Sequence, residues 1–229
     1  MSALPRQTGE WHYLSALAGL FVAIIVITDT MAKPIAIGSF IFSGGNFTFL
    51  FSYIIGAILT EVYGYGRMRK IIWTAAGAEI LLALAHAALI AAPGASFWQG
   101  QQALEFTFGL TPRIVAASIA ATLAGSFINA FVIAHLKVRL SGRHFWLRSI
   151  LAVIASDIWA TAIFIVIAFT GVWPTIELLH VTIANYLSTI LCIALLTPAT
   201  HLLAQLIKRH ERMDYFDINT RFTPFKWKN

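Results

Sequence analysis

The chain has 229 residues, 59% of them hydrophobic and only 11% charged, with a mean hydropathy of +0.77. A soluble domain carries about a quarter charged residues, which excludes water as the solvent for most of this surface. The net charge of +6 does not mark a nucleic-acid binder, because the basic residues sit at alternate ends of apolar segments and form no continuous patch.

A helix needs roughly 20 apolar residues to cross about 30 Å of hydrocarbon. The sequence divides into spans at 11–31, 47–62, 70–92, 112–138, 146–169 and 174–207, with a tail at 208–229. This predicts an all-α integral membrane protein of about six transmembrane helices, forming one membrane domain over residues 1–229. The first span carries the lone basic residue Arg6 before it and runs too long for a cleavable signal. The second is short and breaks at Gly64 and Gly66, the third stops at Pro93-Gly94, and Pro112 suits the first turn of the fourth. The sixth is too long for one straight crossing; either Pro198 kinks it or its first turns lie along the interface.

Fourteen of the sixteen lysines and arginines fall on one side: Arg6, the groups Arg67–Lys70 and Lys137–Arg148, and the tail. Lys33 and Arg113 fall on the other. The positive-inside rule then puts both termini in the cytoplasm. Of the outer connections, 35–46 contains Gly44-Gly45 and reads as a short β-hairpin or re-entrant piece. Residues 95–110 mix Phe97, Trp98, Leu104, Phe106 and Phe108 with polar residues, as an interfacial helix does.

Ionisable groups inside a bilayer cost on the order of 3 kcal/mol and face protein or water. Asp157 is mid-span, after Ser156, and is read as a substrate ligand or as an acid neutralised elsewhere in the bundle. Glu61 closes a glycine-broken helix; it either meets a substrate or pairs with Arg67 or Arg69. Glu79 and His86, seven apart on one helix face, form a proton relay or a polar pair that docks the helix. Asp29 contacts substrate or pairs with Lys33. Asn129 ends the four-spaced row Ala117, Ala121, Gly125 and is interhelical glue or a ligand, and Asn185-Tyr186 pose the same question. Trp11, Trp98, Trp146 and Trp173 read as interface anchors. Trp73 and Trp159 sit deeper and pack the core or stack on a ring. The single Cys192 reads as a small hydrophobe. With no phosphate loop, zinc motif or nucleophile–base pattern, neither enzyme, cofactor nor metal site is expected.

The stretch Thr60-Glu61-Val62-Tyr63-Gly64-Tyr65-Gly66, then Arg67 and Arg69, resembles the queuosine precursor transporter family. So do Thr111-Pro112-Arg113 with Ser118 and Asn129, and Arg148 leading into Ser156-Asp157-Ile158. The tail adds Asp214-Tyr215-Phe216-Asp217 and Thr220-Arg221-Phe222-Thr223-Pro224-Phe225. The resemblance implies import of the 7-deazaguanines preQ0 and preQ1 across the bacterial inner membrane for queuosine salvage. It also implies a fold related to the six-helix substrate-binding components of vitamin transporters. The substrate residues expected on this footing are Asp157, Glu61, Asn129, Asn185, Asp29, Tyr186 and Trp73. Two positions depart from the pattern: Thr189 stands where many relatives have Lys, and Asp29 where span one often has Asn. The function expected first is a secondary carrier or facilitator. The alternatives are a substrate-binding subunit served by separate ATPase partners and a structural subunit of a membrane complex. The partners expected are the small solute and membrane lipid, no nucleic acid, and a second copy of the chain in a homo-oligomer.

Overall fold

A computed structural model of the protein describes residues 11–31, 34–37, 40–109, 112–169, 175–218 and 220–225. The elements in order are α1 (Leu14–Thr30), β1 (Pro34–Ile37), β2 (Phe40–Ser43), α2 (Gly44–Tyr63) and α3 (Tyr65–Ala91). They are followed by α4 (Gln101–Phe108), α5 (Pro112–Arg139), α6 (Phe145–Phe169) and α7 (Thr175–Glu211). By length and composition α3, α5, α6 and α7 can each cross a membrane, and α1 and α2 are shorter apolar helices. Apart from the two-stranded hairpin, the architecture is therefore that of a helical, six-span membrane protein, with α4 the short exposed helix expected between the third and fourth spans.

The outer faces are covered by exposed large apolar side chains, among them Leu81, Leu84, Phe106, Leu195 and Leu202. Lipid tails solvate such a face as water cannot. The core is small, built on Phe21 and Ile25 of α1, Ile58, Leu59, Val62 and Tyr63 of α2, Met68 and Ile72 of α3, and Ile133 of α5. The α5–α6 pair makes the most extensive helix contact. It rests on the small-residue row: a Cβ added at Gly125 would come 3.0 Å from the Ala160 Cβ. The β1–β2 hairpin pairs Pro34 with Ser43 and Ile37 with Phe40, as one reading of that connection anticipated.

One boundary differs from the sequence expectation. Gly64 alone separates α2 from α3, at φ 85°, while Gly66 stays helical. Gly64 closes both helices: its N–H donates to Thr60 and its carbonyl accepts from Met68. The third span thus starts at Tyr65 and not at Lys70, because one glycine with positive φ suffices for the reversal. As a result Arg67, Arg69 and Lys70 stand on the first turns of α3, and Lys137 and Arg148 on helices α5 and α6, and none of these is a loop charge. The sixth span is one helix of 37 residues that runs through Pro198. At 1.5 Å per residue it extends about 55 Å, well beyond the hydrocarbon.

The start of α1 and the end of α7 lie together. Glu211 accepts from the backbone N–H groups of His12 and Tyr13 and from the Tyr63 hydroxyl. Beyond Glu211 the chain folds back over this tail end of the bundle. The Tyr215 N–H donates to the Val62 carbonyl, and Asp217 accepts from the Tyr65 N–H at 2.9 Å, capping α3 from outside. Arg69 donates to the Arg221 and Thr223 carbonyls, and the Trp73 indole to that of Pro224.

Candidate functional site

Asp157 lies twelve residues into α6, about 18 Å from its start, and Tyr53 ten residues from the end of α2, about 15 Å along it. The two meet there, the Tyr53 hydroxyl donating to the Asp157 carboxylate at 3.1 Å. Both are buried. Tyr186 of α7 comes alongside α6, its hydroxyl donating to the Ile154 carbonyl at 3.2 Å. Gly125 opens the α5 side, where an added Cβ would come 3.8 Å from the Tyr53 oxygen. Among the described residues Asp157 has no ion pair. Tyr53 was not anticipated; the signal for it was a polar-tipped aromatic beside Ser52 inside an apolar run.

A second polar centre joins α1, α3 and α5. Ser118 donates to Asp29 at 2.9 Å. Glu79, 2% exposed, has its carboxylate beside Asp29 and Thr122, close enough to interact with both. Neither Glu79 oxygen makes a well-formed hydrogen bond. Asp29 is therefore gathered with an acid; the expected pairing with Lys33 falls on a residue outside those described. Glu79 and His86 are not brought together. His86 packs on Phe108, ring centres 4.5 Å apart, which docks α4 onto α3.

The third centre is an ion knot at the tail end. Arg148 grips both Glu61 oxygens, at 2.6 and 3.0 Å, and Lys208 adds a contact at 2.6 Å. Lys137 lies 3.8 Å from the same carboxylate, donates to the Tyr215 carbonyl at 2.8 Å, and binds the Glu61 carbonyl and Asp214. Arg148, Lys137 and Glu61 are all fully buried. The partners of Glu61 are thus Arg148 and Lys208, not Arg67 or Arg69. Arg67 instead donates to the Tyr63 carbonyl and lies 3.7 Å over the Trp11 ring. Burial alone would push the Asp214 carboxyl up, but hydrogen bonds from Lys137 and Lys208 outweigh it and hold it below its ordinary value.

The amides carry unused atoms. Asn129, one turn below Gly125 on the same face of α5, is buried with its Nδ2 unpaired, and Asn185 has a buried, unpaired Oδ1. Trp73 packs against Phe127 and Phe225 and is engaged by the tail. Trp159 points out of the bundle, 60% exposed, so it is no deep stacking surface. Trp173 lies outside the described residues. A groove of about 320 Å³ between α6 and α7, lined by Trp146, Ile150, Pro198 and His201, is apolar and does not reach Asp157.

The family model described as "Putative vitamin uptake transporter" matches residues 43–203, more than half of the chain. The chain belongs to this family. The match takes in Tyr53, Glu61, Glu79, Asp157 and Tyr186, while Asp29 and the tail lie outside it. A relative from Bacillus subtilis (strain 168), named "Probable queuosine precursor transporter", is 26% identical over 199 residues, covering 85% of this chain and 87% of its own length. No solved structure matches the chain. Family, relative and apolar helices agree on a multi-pass membrane transporter.

Proposed function

We propose that this transporter imports a 7-deazaguanine precursor of queuosine, preQ0 or preQ1, through the bacterial inner membrane as a secondary carrier or facilitator, with both termini cytoplasmic. The observation that carries the reading is Asp157: a buried carboxylate at mid-bundle, oriented by Tyr53 and free of any ion pair among the described residues. The name of the Bacillus subtilis relative suggests the substrate class.

The chemistry suits that class. A deazaguanine presents a ring N–H beside an amino group, and one carboxylate accepts both together, as it accepts the fork of an arginine. Tyr53 occupies one Asp157 oxygen and fixes the plane of the carboxylate. Asn129 brings a spare donor for the ring carbonyl, and Asn185 a spare acceptor. Left empty, such buried groups cost the bundle stability; a ligand that pairs them recovers it.

Uptake by the purified chain in liposomes tests this. Asp157→Asn should reach normal membrane abundance and lose uptake by about 10- to 100-fold, since an amide cannot accept both ring hydrogens. Compounds with the guanine edge should compete, and adenine, which reverses the donor pattern, should not. Adenine competing as well as preQ0 sinks the edge-recognition idea. A second reading, a substrate-binding subunit served by an ATPase, is favoured by α1. Gly19 and Ala23 lie on its exposed face, and a side chain at Gly19 would meet nothing within 4 Å. Intact binding with no uptake by the chain alone would select it.

A further inference from the structure

Three acids are placed inside the bundle away from Asp157, and their surroundings differ. Glu61 is saturated by Arg148 and Lys208 and has nothing left for a cation. Asp29 and Glu79 have no basic partner among the described residues. Glu79 is almost completely buried, and its two oxygens face Asp29 and Thr122 without making a well-formed hydrogen bond to either. A buried carboxylate with empty lone pairs is costly unless something positive completes it. The hydroxyls of Ser118 and Thr122 stand on the same side, so the centre offers oxygen atoms only, the donor set that suits a compact hard cation or an ammonium group.

We propose that Asp29 and Glu79, framed by Ser118 and Thr122, form a second subsite that accepts one compact monovalent cation. The subsite deepens the reading of the chain as a deazaguanine carrier and, for its link to substrate, rests on it. Thr122 and Gly125 are three residues apart on α5, so neighbouring turns of one helix serve this subsite and the Asp157 centre. The cation has two sources: the aminomethyl ammonium of a substrate whose ring lies at Asp157, or a free sodium ion that travels with a neutral ring.

The test separates the subsite from the substrate reading. Thermal unfolding of the purified wild-type chain is followed in sodium, methylammonium and choline chloride at equal ionic strength. Stabilisation by sodium or methylammonium but not by bulky choline is expected, and it should vanish in Glu79→Gln and in Asp29→Asn. Binding of preQ1 and preQ0 to the same proteins then assigns the source. A loss of about 10- to 100-fold for aminomethyl preQ1 alone, the scale of one charged hydrogen bond, identifies the substrate ammonium. Sodium-dependent binding of both compounds, lost in the variants, identifies the ion. Identical unfolding of the wild type in all three salts overturns the subsite and leaves the two acids sharing a proton. Cation stabilisation without binding of either deazaguanine would keep the subsite and sink the substrate assignment.

Discussion

Glu61 and Asp157 are both buried acids within the matched region, and their neighbours differ. Around Glu61 three cations converge, two of them fully buried, so removing its charge strands Arg148 and Lys137 in a low-dielectric setting. Breaking a buried ion pair from one side costs about 3–5 kcal/mol. Glu61→Gln should accordingly lower the unfolding temperature and the membrane abundance, and whatever protein survives should still bind ligand. Asp157→Asn should show the reverse, normal abundance without uptake. A Glu61→Gln protein of wild-type stability would mean that the knot contributes nothing to the fold. The two acids look alike in the sequence because the discriminating partner of Glu61 lies 87 residues away. Arg148 and Lys137 count there as topology markers at loop ends, and only the folded bundle turns them inward. Asp157 stands out in the sequence for the opposite reason: it is a lone acid in an apolar span, and the fold adds only the Tyr53 hydroxyl to it.

At the scale of elements, the α2–Gly64–α3 joint and the tail that covers it act as one unit. Gly64, at φ 85° and ψ 165°, occupies a region open essentially to glycine alone, and an added Cβ would come 2.3 Å from the Tyr215 ring. Gly64→Ala should cost about 1–3 kcal/mol in backbone strain and push Tyr215 off the joint. Limited trypsin digestion should then cut faster at Arg212 and Arg221, the tail basic sites flanking this contact. The tail also carries a pH signature. The Asp214 carboxyl is held below its ordinary value, so its contribution is complete above the unfolded value of about 3.9 and is lost as the pH falls through the lower folded one. Asp214→Asn should therefore be less stable near neutrality and lack that acid step in a melting-temperature profile. The helices themselves were legible because long apolar runs bounded by charge or Gly-Pro leave few alternatives. The tail was legible only as a motif, since its contacts to Val62, Tyr65 and Arg69 join residues some 150 positions apart.

For the molecule as a whole, the tail end holds Arg67, Arg69, Lys70, Arg139, Arg143, Arg209 and Arg212, and the hairpin end, among the described residues, Arg113. Reporter fusions after Arg143 and at Asn229 should read cytoplasm, and one after Gly100 the opposite side; a reversed pattern would overturn the orientation. The ion knot also has a consequence for how the protein is made. Glu61 emerges from the ribosome long before its partners, with Lys137 76 residues later, Arg148 87 and Lys208 147. At about 5–20 residues per second the wait for Arg148 lasts about 4–17 seconds. During that time α2 carries a charge without its folded-state partners that must stay hydrated, so the second helix cannot seat fully before the fifth span has been delivered. Insertion is then ordered by charge, with an early helix docking late.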